Sequence, residues 1–113
     1  MHWLYRDTER LCPVIVARTM RQRLTGLLGR TGIDGAILLQ PACSVHTFGM
    51  RFDLDVAHLD RDQRVLRVVT MRPNRLGRPI AHARSVLEAE AGSLAHLRVG
   101  DRLCVQSDHQ ATC

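Results

Sequence analysis

Lysine is absent from the sequence, and all sixteen of its basic residues are arginine. The formal net charge at pH 7 is +5 with histidine neutral. Arginine throughout the chain reflects a general compositional bias rather than selection for phosphate contacts, so the charge is weak evidence for nucleic-acid binding. Aromatic side chains that could stack on bases are also scarce, at 4% of residues. We expect no specific nucleic-acid partner.

The cysteines lack the spacing of a metal site. Cys12, Cys43, Cys104 and Cys113 are far apart, and neither a CxxC pair nor a Cys/His pair with zinc-ligand spacing occurs. This pattern argues against structural zinc, and we expect no metal and no other cofactor. In a reducing cytosol we expect all four cysteines to be free thiols.

Long apolar runs are also absent. No apolar span of about 20 residues is present, and the first ten residues, MHWLYRDTER, do not resemble a signal peptide. We therefore predict a cytoplasmic protein that does not associate with membranes, as a monomer or weak dimer. The length of 113 residues fits one domain, which we place at residues 1–107, followed by a disordered tail at residues 108–113.

The sequence does contain many short segments typical of β-strands. LCPVIVA (11–17) and GAILLQP (35–41) are apolar, whereas apolar and polar residues alternate along residues 52–57. The polar residues Asp60 to Gln63 predict the turn of a hairpin that continues into VLRVVTM.

A helical pattern occurs once in the chain. Thr19 and Gln22 fit a capping box, and leucines recur at helical spacing until Gly29. We therefore predict a mainly β fold: a compact antiparallel β-sandwich or barrel-like domain with one substantial α-helix near residues 19–29.

The segment 43–60, CSVHTFGMRFDLDVAHLD, is the densest in chemically active side chains, and its alternation, with His46, Phe48 and Met50 on one side, predicts a strand. Asp55 is a carboxylate in an otherwise apolar strand, where it needs partners. His46 and Thr47 are near it in sequence, and Arg23 or Arg51 could reach it through the fold. A carboxylate–imidazole pair could bind a ligand or move a proton. The alternative is that Asp55 is a structural acid that fixes the register of one strand against another.

Two further features of the sequence bear on binding. Strand alternation sets Asp55 and His58 on opposite faces, which argues against a metal held by both. The loop MRPNRLGRPIAHAR carries Arg72, Arg75, Arg78 and Arg84 among prolines and a glycine. This loop could receive an anion or an acidic partner, or it could be an ordinary solvated loop.

Three segments agree in order and spacing with the pattern of one family. They are RQRLTGLLGR (21–30), VHTFGMRFDLDVAHLD (45–60), and VLEAEAG followed by VGDRLCV (86–92 and 99–105). The chain resembles the domain of unknown function 192 family of small prokaryotic proteins over about residues 14–106. The resemblance implies a β-sandwich or barrel-like fold with a helix across one side, and it implies no chemistry. The positions that match the family pattern are Arg23, Gly26, Leu27, Arg30, Met50, Asp55, Glu88, Gly92, Gly100 and Asp101.

Two positions depart from the family pattern. The family usually has proline where Asp53 stands and an aromatic residue where His58 stands. If these positions line a pocket, the resemblance implies that this chain binds a different ligand from its relatives. They could equally be substitutions on an exposed edge.

No constellation of nucleophile, base and oxyanion donor can be read from the sequence. Our hypothesis is a non-enzymatic ligand-binding or accessory module that holds a small or anionic ligand or an acidic protein partner. The alternative is a small hydrolase or isomerase that uses Asp55 with His46 or Glu88. The candidate ligand-binding residues are His46, Thr47, Met50, Asp55, Glu88, Arg23 and Arg30.

Overall fold

A computed structural model of the protein describes residues 2–18 and 35–107. These residues form seven β-strands: β1 (His2–Arg6), β2 (Glu9–Ala17), β3 (Ala36–Leu39), β4 (Leu54–Leu59), β5 (Val65–Met71), β6 (Ser85–Glu90) and β7 (Leu103–Ser107). The mainly β character is as predicted. The predicted hairpin is also present, since β4 and β5 pair antiparallel and Asp60 Oδ1 accepts the amides of Asp62 and Arg64 in the turn.

The prediction of one substantial α-helix is wrong, because the described residues contain no helix. The segment 19–29, where we predicted it, and the predicted tail at 108–113 both lie outside the described residues. Within the described part, loop residues cover apolar side chains on the outer face of the sheet. Val45 and Met50 lie against Leu54, Val56 and Val86 of the sheet.

The two sheets of a sandwich are also absent from the described residues, whose strands form one sheet in the order β5-β4-β6-β3-β2-β1-β7. Neighbouring strands are antiparallel except for β2 and β3, which are parallel. The edge strands β5 and β7 meet at one end, where Leu103 N donates to Gln63 O at 2.9 Å and Val65 N donates to Asp101 O at 2.8 Å. The sheet therefore curls into a barrel closed at one end.

The larger core lies on the inner face of this curled sheet. Strand alternation sends Ala57 and Leu59 of β4 inward, together with Leu87 of β6 and Leu38 of β3. Leu94 and Leu97, from the turns after β6, close the cluster. Each of these side chains is at most 5% exposed, so hydrophobic burial is concentrated here.

A second core lies on the outer face, where Leu54, Val56, Ile37, Leu39 and Val86 are buried under loop residues. Strands β3 and β4 are consequently buried on both faces along their whole length. A polar side chain on either face of these strands is removed from water and must find a partner within the protein or in a ligand.

Cys12 and Cys43 are free thiols, as expected, but Cys104 is disulfide-bonded. The expectation of four free thiols is therefore wrong for Cys104. None of the described residues forms a helix long and apolar enough to span a bilayer.

Candidate functional site

Asp55, the centre of the predicted site, is a structural acid on the inner face. Its carboxylate is 3% exposed and accepts three hydrogen bonds. Thr70 Oγ1 donates to Oδ1 at 2.7 Å, and the amides of Gly92 and Leu94 donate to Oδ2 at 2.8 and 3.0 Å. Asp55 thus joins β4 to β5 and fastens the turn that follows β6, as the structural alternative proposed.

Thr47 is a second structural residue, fully buried between two loops. Its hydroxyl donates to Arg72 O at 2.6 Å and accepts the amide of Arg75 at 2.8 Å. Its own amide donates to Arg75 O at 2.8 Å. Thr47 therefore holds the segment 43–50 against the loop 72–80 and leaves no polar atom free for a ligand.

His46 and Met50 lie on the same segment but do not face Asp55. His46 is exposed, its ring stacks on Phe48 with centroids 5.2 Å apart, and its Nδ1 accepts the amide of Phe48 at 3.3 Å. Met50 is buried in the outer core. The segment that reads as strand around these residues is a loop that makes a single bridge, between His46 and Leu76.

Glu88 lies on the outer face of β6, in register with Ile37 of β3 and Val56 of β4. It is 5% exposed, and burial raises the pKa of its carboxyl group to about 7. No described residue donates a hydrogen bond or forms an ion pair with it. The carboxyl group of Glu88 therefore stays protonated at pH values where an ordinary glutamate is ionised.

The predicted residues do not converge on one site. Val56 is the cross-strand partner of Glu88, so the neighbouring Asp55 points to the opposite face of the sheet. His46 belongs to the loop pair on the outside, and Arg23 and Arg30 lie outside the described residues. This arrangement gives Asp55 neither His46 nor Glu88 as a partner.

The histidine at position 58 occupies a different environment, on the outer face between Val86 and Arg67. His58 is 4% exposed, and its Nδ1 is shielded from water without a hydrogen-bond partner in residues 2–18 and 35–107. Burial lowers the pKa of His58, and the positive charge of Arg67 lowers it further. The imidazole is therefore neutral at pH 7.

His58 lines a cavity of about 300 Å³ between β5 and the loop 76–80, which we call the His58 cavity. Arg67 enters it from β5 and Arg78 from the loop, and neither has an acidic partner among the described residues. Apolar side chains complete the wall. The principal lining residues are His58, Arg67, Val69, Met71, Leu76 and Arg78.

Gly77 shapes this cavity by allowing the loop to approach the segment beneath it. A Cβ atom at position 77 would lie 2.6 Å from Val45 O and 3.4 Å from the terminal methyl group of Met71. Its amide donates to Val45 O at 2.9 Å. The loop that carries Arg78 is therefore held in place by backbone contacts that leave no room for a side chain at position 77.

Two larger cavities, each of about 460 Å³, lack a comparable feature. One is lined by His2, Arg18 and Gln40 among others, and the second by Asp60, Arg61 and His82 among others. Among the described residues, the one buried side-chain nitrogen or oxygen without a partner belongs to His58. Within residues 2–18 and 35–107, no group of three or more His, Cys, Asp or Glu residues is placed to hold a metal ion.

The family model for the domain of unknown function 192, described as an uncharacterized ACR, matches residues 4–105. The chain belongs to this family. No curated protein matches this chain.

Two solved structures resemble the chain in fold. A crystal structure of a protein of unknown function from Novosphingobium aromaticivorans has 21% identity and a TM-score of 0.78, over 91% of this chain and 82% of that one. A crystal structure of a "putative transcription regulator" from Sinorhizobium meliloti has 20% identity and a TM-score of 0.77, over 93% and 94% of the two chains. At these identities the likeness establishes the fold.

The two departures from the domain of unknown function 192 pattern have different surroundings. Asp53 is exposed, and its carbonyl accepts the amide of Ala91 at 3.1 Å. His58 lines a cavity with two arginines. Of these two positions, His58 is therefore the one that lines this cavity.

Sequence reasoning singled out His58 but did not connect it with Arg67 and Arg78. The cross-strand pair of His58 and Arg67 depends on a register shift between His58 and Leu59, which alternation alone does not reveal. Arg78 reaches the cavity through a loop whose path depends on the contacts of Gly77. Two features of the sequence could have indicated this cavity: a histidine at position 58, where the family usually has an aromatic residue, and the arginine-rich loop that follows β5.

Proposed function

We propose that the domain is a non-enzymatic binding module that holds a small anionic ligand in the His58 cavity. The observation that carries the proposal is a buried, neutral imidazole without a hydrogen-bond partner among the described residues, in a cavity that two arginines enter. A buried polar group without a partner costs about 1–3 kcal/mol. Because Nδ1 is shielded from water in the free protein, the ring must turn toward the cavity before Nδ1 can bond to a ligand, and that bond would remove the cost.

The chemistry of the lining favours an anion of modest size. Arg67 and Arg78 supply guanidinium donors suited to carboxylate, sulfate or phosphate oxygens, and the residues that line the cavity include no acid. Val69, Met71 and Leu76 offer apolar contact to the remainder of the ligand. Ligand sites commonly combine such apolar walls with a few polar groups.

The hydrolase or isomerase alternative receives no support from the same geometry. Asp55 is saturated by three donors, and Glu88 is on the opposite face of the sheet. A general acid–base pair requires groups within hydrogen-bond reach of one reacting atom. We therefore retain binding as the proposed function.

The test is a calorimetric titration of the protein with sulfate, phosphate and a short dicarboxylate. We expect saturable binding of at least one of these anions, with a loss of about tenfold or more in affinity for Arg67→Gln and for His58→Phe. Arg61→Gln, an exposed arginine in the β4–β5 turn, is the matched control and should bind as the wild type does. No saturable binding, or equal binding by all the variants, would contradict the proposal.

The pH dependence of sulfate binding provides a second measurement, because the charge of sulfate does not change near neutrality. The charged groups that face His58 are Arg67 on β5 and Arg78 on the loop. Burial and the charge of Arg67 disfavour imidazolium in the free protein, whereas a bound anion favours it. Binding should therefore take up a proton and tighten as the pH falls from about 8 to about 6, by at most about tenfold per pH unit. His58→Phe should abolish this dependence.

A further inference from the structure

The loop segments 43–50 and 72–80, which we call the paired loops, form one fixed surface on the outside of the sheet. Ile80 N donates to Cys43 O at 3.1 Å, and Asn74 N donates to Thr47 O at 2.8 Å. Gly49 N donates to the side-chain oxygen of Asn74 at 3.0 Å. Together with the bonds of Thr47, these contacts set the two segments side by side. A surface fixed in this way loses little conformational entropy when a partner binds.

Two large apolar side chains project from the paired loops into solvent. Phe48 is 48% exposed and Leu76 is 75% exposed. His46 links them, because its ring stacks on Phe48 and its backbone pairs with Leu76. Four large apolar residues are exposed in the described part of the chain, and of these Phe48 and Leu76 both neighbour His46, whereas Ile15 lies on β2 and Val99 precedes β7. An apolar group presented on a fixed loop is typical of an interaction surface.

Arginines surround this apolar pair. Arg72, Arg75 and Arg78 lie on the second segment and Arg51 follows the first, all of them exposed. None has an ion-pair partner among the described residues, whose two ion pairs both involve Arg6. The surface therefore combines an apolar centre with an uncompensated positive rim.

We propose that the paired loops dock an acidic segment of another protein, with a large apolar side chain of that segment packed on Phe48 and Leu76. Carboxylates of the segment would pair with Arg72 and Arg75. Apolar anchors ringed by complementary charge are the usual anatomy of such contacts. A nucleic acid would satisfy the arginines through its phosphates but would leave the aliphatic side chain of Leu76 uncovered, so the apolar pair favours a protein segment.

This interaction is independent of the small-anion site, although the two share Leu76 and Arg78. Phe48, Arg72 and Arg75 do not line the His58 cavity. Variants at these three positions therefore test docking without altering the cavity, and either proposal can fail while the other holds.

The experiment is a selection of random displayed peptides on the immobilised wild-type domain, followed by fluorescence polarisation with the selected peptides. We expect the selected peptides to carry acidic residues beside one or two large apolar residues. The variant Phe48→Ser and the double variant Arg72→Gln/Arg75→Gln should each weaken binding by about tenfold or more. Val99→Ser and Arg61→Gln, at exposed positions elsewhere, are the matched controls and should bind the peptides as the wild type does.

Amide chemical shifts of the peptide complex, measured by NMR, locate the contact. Changes confined to residues 43–51 and 72–80 would support the proposal. No selected peptides, selected peptides without acidic residues, binding that survives both variants, or shifts elsewhere on the sheet would overturn it. A single-stranded oligonucleotide is the competitor. If it displaces the peptide and has the higher affinity, the proposal is overturned in favour of nucleic acid.

Discussion

The inner and outer faces of the sheet accommodate buried polar groups in different ways. On the inner face, the carboxylate of Asp55 accepts hydrogen bonds from three residues. Two of the donors are amides in the turn after β6, and the third is a hydroxyl on β5. On the outer face, Glu88 and His58 are equally buried but receive no hydrogen bond from any described residue. Their pKa values shift instead, upward for the carboxyl group and downward for the imidazole.

This difference separates a structural role from a binding role on physical grounds. A polar group with a full set of partners stabilises the fold and has nothing left for a ligand. A buried group without partners lowers stability and persists where something other than stability favours it. Substitutions on the two faces should therefore have opposite effects on the free energy of unfolding.

The largest effect is expected on the inner face, for Asp55→Ala. The variant leaves Gly92 N, Leu94 N and Thr70 Oγ1 without their acceptor, and should lower the free energy of unfolding by at least about 3 kcal/mol. Urea denaturation measures this loss. Asp53→Ala removes an exposed carboxylate close by and should change stability by less than about 0.5 kcal/mol. If the two variants were equally stable, the structural role of Asp55 would be wrong.

An effect of opposite sign is expected for Glu88→Gln on the outer face. The folded-state pKa of Glu88 is about 7, against an ordinary value of 4.5, so the folded state binds the proton more tightly than the unfolded state. This contribution to stability is present below about pH 4.5 and is lost as the pH rises through 7. At pH 8 the variant should be more stable than the wild type, on the order of 2–3 kcal/mol, and at pH 5 the difference should be small.

Denaturation across this pH range checks the prediction, with Glu90→Gln as the control. Glu90 is on the same strand and the same face but is exposed, so its substitution should leave the pH dependence unchanged. A wild-type stability that does not fall between pH 5 and 8 would mean that the carboxylate of Glu88 is compensated when charged.

The smallest effect on stability is expected for His58→Phe. The substitution removes a buried nitrogen without a partner in the described residues and keeps a ring of similar size, so the free energy of unfolding should stay within about 1 kcal/mol of the wild type or rise. Thermal denaturation without added anions is the measurement. If the free energy of unfolding fell as much as in Asp55→Ala, His58 would be a structural residue. The proposed difference between the two faces would then be wrong.

Much of the fold followed from local patterns in the sequence. The strands around Val14, Leu38 and Val56 and the turn at Asp60 to Gln63 were predicted because alternation and turn residues are encoded within a few positions. Strand β1 was missed, and the segment around Phe48 was read as strand although it is a loop. The single curled sheet was not distinguished from a sandwich, because its closure depends on contacts between residues about 40 positions apart, such as Gln63 and Leu103.

The site was harder to predict for the same reason. That Asp55 needs partners followed from its apolar neighbours, but the amides of Gly92 and Leu94 lie more than 35 positions away and amides carry no residue signature. Thr47 was predicted to be a ligand-binding candidate, and the sequence did not reveal its contacts with Arg72 and Arg75. These contacts depend on the path of the chain. Side-chain type identified the important positions, and tertiary contacts determined their roles.

The pairing of β1 with β7 has a consequence for how the chain folds. His2 is the partner of Ser107, so the first strand completes its pairing only with the last. During synthesis β1 can pair with β2, but its other edge stays open until about a hundred further residues have left the ribosome. Contacts this distant in sequence slow folding and leave an unpaired strand edge exposed in the meantime. The nascent chain is therefore most susceptible to aggregation just before its final strand arrives.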